Sequence, residues 1–417
     1  MTAHVFSLVF IAFLVLSTLL QLWLKTRHLR HVLAHRAAVP ADFASQIELD
    51  AHQKAADYTA AKMRFARISI VWEALLLAAF TLGGGIGWLD ATARELAGTG
   101  IWAGLALIAG LTLVNGVLSL PFSLYATFVL EARFGFNKVT PAVFVTDMVK
   151  STLLGAALGL PLIALILWLM EASGSLWWLY AWAVWVAFGL AVMAIYPTFI
   201  APLFNKFTPL ADATLKQRID ALLNKCGFAS NGVFVMDGSK RSSHGNAYFT
   251  GFGKTKRIVF FDTLVERLTP LEVEAVLAHE LGHYKRKHII KRMATMYGLG
   301  LLTMALLGYI KDTSWFYAGL GVAVPSTAAA LILFFLALPV FTFPFGWIAS
   351  RGSRKHEYEA DEYAAEVSDG SALVSGLVKL YRDNAATLTP DPLHSLFYDS
   401  HPPAALRIAA LRGQGRG

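Results

Sequence analysis

His279, Glu280 and His283 are the residues whose types and spacing could do chemistry. Two histidines four positions apart fall one helical turn from each other on one face, where both imidazoles can share a zinc ion. Glu280, beside the first, is placed to take a proton from a metal-activated water. This is the equipment of a metal-dependent hydrolase. The motif lies just before an apolar stretch long enough to cross a bilayer, which points to a protease acting on membrane-associated substrates.

A catalytic zinc site takes three protein ligands and keeps one position open. The third must come from elsewhere in the chain. After the last apolar stretch the sequence reads Ser353-Arg354-Lys355-His356-Glu357-Tyr358-Glu359-Ala360-Asp361. Read as a helix, it places Glu357 and Asp361 on one face, a turn apart. Glu357 would bind the metal, and Asp361 would accept the free N–H of a ligating histidine and so fix its tautomer. His356, Glu359, Glu362 and Glu366 compete for the same role by spacing alone. The one cysteine, Cys226, forms no internal disulfide, fits a reducing compartment and reads as an inert core residue.

Those residues must be positioned by a mostly apolar chain. Of its 417 residues 56% are hydrophobic and 15% charged, with mean hydropathy +0.53, too apolar for a soluble protein of this length. Seven stretches are long enough to span: Val5–Leu24, Ile68–Leu89, Ile101–Leu130, Ser151–Met170, Leu176–Ile200, Ala294–Ile310 and Pro325–Ile348. The first is no cleaved signal: it lacks a basic start, and Lys25 and Arg27 follow its apolar run. Residues 25–67 read as a helical hairpin broken at Pro40, residues 201–293 as a protease insertion, and residues 349–417 as a segment bearing the third ligand. Within the insertion, Asp212–Cys226 has helical periodicity. Gly232–Met236, Ala247–Thr250 and Arg257–Val265 read as strands, with a polar turn or flexible loop at Asp237–Gly245 between the first two. Thr269, Pro270 and Glu272 form the signature of a capped helix start, and no breaker interrupts Leu271–Ile290, so one helix should carry the motif on into the sixth span.

Basic residues alternate with the spans. The first loop carries Lys25, Arg27, Arg30, Arg36, Lys54, Lys62, Arg64 and Arg67, and the insertion and tail are also rich in Lys and Arg. The second loop has only Arg94, and Glu171–Ser175 has no basic residue. The positive-inside rule then puts the N-terminus outside, and the C-terminus and the metal-bearing segments on the cytoplasmic side. The net charge of +8 is accounted for by lipid-facing flanks, and nucleic acid is not expected as a partner. Glu73 and Asn115 are intramembrane polar groups that should face protein or water. Pro121, Pro161, Pro197, Pro339 and Pro344 can kink the spans.

The chain resembles the type 1 CAAX prenyl proteases, integral-membrane zinc metalloendopeptidases. The likeness rests on His279–His283 and the Ser353–Asp361 segment, on Ser239–Phe249 and Lys256–Leu264 before the motif, and on Ala201–Phe207 and Phe134–Asn137. It implies a mainly α-helical polytopic membrane protein, with seven spans enclosing a chamber and a small cytoplasmic α+β zinc-protease domain. One zinc ion would be held by His279, His283 and Glu357, with Asp361 behind. Glu280 would be the general base. His401, before Pro402 and Pro403, would be a donor to the oxyanion, although alone it reads as a turn residue. The resemblance further implies that substrate lies as an added strand along Asn246, Ala247, Tyr248 and Phe249. Arg407 fits an ion pair or a substrate contact. Partners would be the lipid bilayer and peptide or protein substrates, prenylated or otherwise membrane-associated. A membrane quality-control protease with no prenyl requirement is the alternative within this class. A zinc-regulated transporter or channel is the alternative outside it, and an inactive scaffold another; both leave Glu280 without a role. A protease of the site-2 class would take an aspartate, not a glutamate, as its third ligand.

Overall fold

The computed structural model describes residues 1–250 and 257–414. Lys256, in one of the stretches quoted above, lies outside them. Six helices are long and apolar enough to cross a membrane, and a bent pair brings the count to seven. The first is α1 (Ala3–Ala34), and the bent pair is α2 (Leu49–Phe80) with α3 (Gly85–Ala97). Next come α4 (Ile101–Tyr125, continued by a π turn to Glu131), α5 (Pro141–Ala172) and α6 (Trp177–Ile195). After α7 (Ala213–Lys225), α8 (Asp262–Arg267) and α9 (Pro270–Lys285) the spans resume with α10 (His288–Ile310). A short α11 (Ser314–Gly319) leads to α12 (Thr327–Thr342), which passes through a 3-10 turn at Phe343–Phe345 into α13 (Gly346–Val367). α14 (Gly370–Asp383), α15 (Pro392–Tyr398) and α16 (Ala404–Gln414) complete the chain.

The second span departs from the expected continuous stretch. It breaks at Thr81–Gly84, and its halves meet at 54°. Gly84, at φ +76°, can take the left-handed turn there without strain. The proline positions behave as their chemistry requires. Pro121, Pro161 and Pro339 sit inside helices, Pro197 opens a π turn, and Pro344 lies in the 3-10 turn before α13.

A four-stranded sheet lies among the non-spanning elements. Its strands are β1 (Phe207–Pro209), β2 (Val233–Met236), β3 (Ala247–Thr250) and β4 (Arg257–Phe261), in the order β1-β2-β4-β3. β2 and β4 are parallel and the outer pairings antiparallel, so among the described residues β3 is an edge strand paired with β4. β1, only three residues long and ending in proline, carries too little pattern to be read from sequence. The expected strand to Val265 stops at Phe261. There the Asp262 carboxylate accepts the N–H groups of Thr263 and Ser239 and turns the chain into α8. The segment read as a possible flexible loop is tied down: Arg241 makes two hydrogen bonds to Asp147 of α5.

The core beneath the sheet joins α7, β2, β4, α9, α13 and α14 through Leu215, Ile219, Ile258, Phe260, Leu277, Ala364 and Leu373, with Cys226 buried among them. α9 starts with the anticipated capping box between Thr269 and Glu272, and Glu272 also accepts from Ser375 and Lys379 of α14. The expected unbroken helix from Leu271 to Ile290 is not formed. α9 ends at Lys285, Lys287 adopts φ +59°, and α10 begins afresh at His288. No glycine or proline marks that break.

α9 and α13 cross in contact at Gly282. A Cβ there would lie 2.9 Å from both the Cα and the carbonyl oxygen of Ala360. Backbone cannot yield as a flexible side chain can. Gly282→Ala is therefore expected to destabilise the fold by about 1–3 kcal/mol through overpacking. The check is the thermal midpoint in detergent; a midpoint equal to the parent's would show that the crossing can open freely.

Candidate active site

The crossing sets four polar side chains against one another. His279 and His283 face out from α9, and Glu357 and Asp361 from α13. The His279 Nε2 to Glu357 Oε2 distance is 3.5 Å, and His283 Nε2 lies 3.4 Å from Glu357 Oε1. The two Nε2 atoms are 3.2 Å apart. These three residues form the His/Glu group whose donor atoms all lie within 4.8 Å of one another.

The chemistry of that set fits a divalent cation. His279 Nδ1 is 2.8 Å from Asp361 Oδ1. A carboxylate only accepts, so Nδ1 carries the hydrogen, and in the neutral ring Nε2 presents a lone pair. The Nε2 of His283 and the Glu357 carboxylate face the same point. Glu357 Oε2 is buried with no hydrogen-bond partner. Converging lone pairs and an orphaned carboxylate oxygen are costly unless a cation or a proton lies between them.

Arg407 stands behind this set. Its Nε and Nη2 donate to the two oxygens of Asp361 at 2.8 and 2.6 Å, and its Nη1 lies 3.6 Å from Glu357 Oε2. This is the geometry of an ion pair, and Arg407 also borders the cleft beside the histidines. Arg407, Asp361 and Glu357 are all buried.

Glu280 and His401 line a cleft of about 130 Å³ beside the histidines. Burial raises the Glu280 carboxyl above the ordinary range, while His279 and His283 draw it back. His401 approaches from the loop before α16. Its Nε2 is 3.4 Å from Glu357 Oε1, Nδ1 faces the Ser400 hydroxyl at 2.9 Å, and its side chain is 58% exposed. The rest of the cleft includes Asn246 and Ala247 on one side and Leu264, Val276, Leu373, Leu377 and Leu380 on the other. Tyr248 and Phe249 do not reach it. Tyr248 turns toward Tyr196 and Pro197 on the opposite face of the sheet, and Phe249 packs on Phe228. β3 pairs on one side with β4 and, among the described residues, leaves its other backbone edge unpaired. Asn384 holds that edge in place, accepting from the Gly245 N–H and donating to its carbonyl.

The competing ligands are elsewhere. Glu362 and Glu366 are exposed, Glu359 bonds His288, and His356 stacks on His288. Two features escaped the sequence reading. The leucine wall from α14 has helical periodicity that could have been found; the link of His288 to His283 spans a helix break and could not.

The comparisons agree with this architecture. Residues 28–206 match the profile described as CAAX prenyl protease N-terminal, five membrane helices, and residues 209–414 match that of peptidase family M48. The chain belongs to the CAAX prenyl protease family. A CAAX prenyl protease 1 homolog of Arabidopsis thaliana is 38% identical, with 72% of this chain and 71% of the relative aligned. CAAX prenyl protease 1 of Saccharomyces cerevisiae is also 38% identical (71% and 69%), and the Homo sapiens homolog is 33% identical (70% of each). The crystal structure of S. mikatae Ste24p superposes with a TM-score of 0.90 at 33% identity, covering 97% of this chain and 98% of that one. The protein is thus an integral, multi-pass membrane metalloprotease, and the transporter and scaffold readings fall away.

Arg407→Leu is expected to cost about 3–5 kcal/mol, because it strands the Asp361 carboxylate in a buried site. Arg407→Lys keeps the charge but not the two-pronged geometry and should fall between. Thermal midpoints of the metal-free proteins measure this. Equal midpoints for the parent and Arg407→Leu would rule out the clamp.

Proposed function

We propose that this protein is a zinc endopeptidase that removes the C-terminal tripeptide from prenylated proteins. In this reading His279, His283 and Glu357 hold the zinc, with Asp361 fixing the tautomer of His279. The metal, when bound, makes its water acidic near neutral pH and polarises the peptide carbonyl. Glu280 takes the proton of the attacking water and delivers it to the departing amine nitrogen; burial, by raising its basicity, suits it to that exchange. His401 donates to the carbonyl oxygen as negative charge develops there. The substrate backbone pairs with the free edge of β3 beginning at Asn246 and Ala247.

The observation that carries the substrate reading is the leucine wall. Leu264, Val276, Leu373, Leu377 and Leu380 stand in the same cleft as Glu280 and the strand edge. A peptide held on that edge would place an aliphatic side chain there, as a CAAX sequence supplies. The exposed faces of the spans support a chamber: five of them bury only 11–22% of their apolar window, against 44% for the seventh. Glu73 and Asn115, both exposed on their helices, would face it. Basic flanks favour a cytoplasmic site, with the N-terminus outside.

Glu280→Gln should retain zinc and bind a farnesylated CAAX peptide while losing cleavage. Parent-like turnover in a preparation free of other proteases would sink the mechanism. Parent enzyme that cleaves farnesylated and unprenylated peptides equally well would instead favour the quality-control alternative.

Metal binding should also release a proton. Burial lowers the His279 imidazole, but the Asp361 and Glu357 carboxylates beside it outweigh this and lift it to about 9 in the metal-free protein. A ligating histidine must be neutral, so apparent zinc affinity is expected to rise with pH up to about 9 and level off above it. Calorimetry in buffers of different ionisation enthalpy reads the proton directly; no buffer dependence at pH 7 would contradict the assignment.

A further inference from the structure

His279 has a carboxylate to fix its tautomer, whereas His283 has a histidine. His283 Nδ1 lies 3.0 Å from His288 Nδ1, and His288 Nε2 lies 2.8 Å from Glu359 Oε2. The proton positions along this chain follow from chemistry alone. Glu359 can only accept, so the Nε2 of His288 carries a hydrogen. Neutral His288 then presents a lone pair at Nδ1, and the hydrogen between the two rings belongs to His283 Nδ1. That leaves the Nε2 of His283, the atom facing Glu357, as a lone pair.

The helix break makes this contact possible. On one uninterrupted helix, residues five apart diverge by about 140° around the axis, and His288 would point away from His283. Left-handed Lys287 ends α9 and turns His288 back. A lysine in that conformation is disfavoured by about 1–2 kcal/mol, so something in the fold must compensate. His288 is 1% exposed and its ring stacks on His356 at 4.1 Å, which fixes its plane; Glu359 bonds it from the rim, with Lys355 3.8 Å away.

We propose that His288, held by Glu359, is the positioning residue that sets the tautomer and orientation of His283 for metal binding. This rests on the zinc reading above. It gives the two histidine ligands unlike support: a buried, arginine-clamped carboxylate behind one, and a neutral imidazole relay behind the other.

Zinc affinity, measured by chelator competition on the purified full-length protein, tests it. His288→Leu keeps the volume but removes the acceptor and should weaken zinc about 10–100-fold. In His288→Asn the amide oxygen can occupy the place of Nδ1, so affinity should return close to the parent's. The visible spectrum of the cobalt-loaded protein should shift in His288→Leu and be restored in His288→Asn. Glu359→Ala, altered at the rim where folding is tolerant, should also weaken zinc, because His288 is freed to take the other tautomer. Parent-like affinity in His288→Leu or in Glu359→Ala, or an Asn variant no better than the Leu variant, overturns the proposal. If His288→Leu does not fold, Glu359→Ala decides. Stoichiometric zinc in the parent, lost in His279→Ala, separately tests the underlying site.

Discussion

The structure depends on how closely two helices can cross. α9 carries the histidines and α13 the carboxylates, and neither set is a site without the other. Gly282 against Ala360 lets the backbones meet, while Ala364 and Leu277 fill the space beside them. The polar groups can then be buried because the crossing has already excluded water with apolar surface. A larger residue at either contact would push the helices apart, and His283 from Glu357 with them.

Burying these charges creates a second constraint. Glu357 and Asp361 carry two negative charges into a dry crossing, and Arg407 returns one positive charge. The remaining deficit must be met by a proton or a cation. The Asp361 and Glu357 carboxylates raise the His279 imidazole, which favours a proton there when no cation is bound. Metal affinity and fold stability are thus coupled through the same few atoms. Arg407 sits where it steadies the carboxylates without occupying the point at which the three ligand atoms converge.

Much of this was legible in the sequence because it is local. The i, i+4 spacing of the histidines, the capping box at Thr269 and the length of the apolar runs all depend on residues within a turn or a span. Glu357 was only one of several candidates by spacing, since an exposed carboxylate and a buried one look alike in a sequence. The family resemblance singled it out, and the crossing sets it against both histidines. The break at Lys287 was illegible for a different reason: neither glycine nor proline announces it, and lysine is a good helix former. It is stabilised by tertiary contacts of His288, and these local propensity does not encode. β1 depends likewise on partners far away in the chain, whereas Leu373 and Leu377 repeat at helical spacing and could have been found.

The membrane spans take part in this geometry. α10 starts three residues after α9 ends, and α13 follows α12 through one 3-10 turn. Each half of the ligand set is therefore attached to its own span by a short, ordered connection. A shift of α10 against α12 would act on the histidine–glutamate distances with little slack to absorb it. An internal proline, Pro339, lies within α12 itself, but the helices bearing the ligands are tied again by the elements that follow them. Arg407 binds Asp361, and Glu272 binds α14 through Ser375 and Lys379. Those ties hold the crossing of α9 and α13 from α14 and α16.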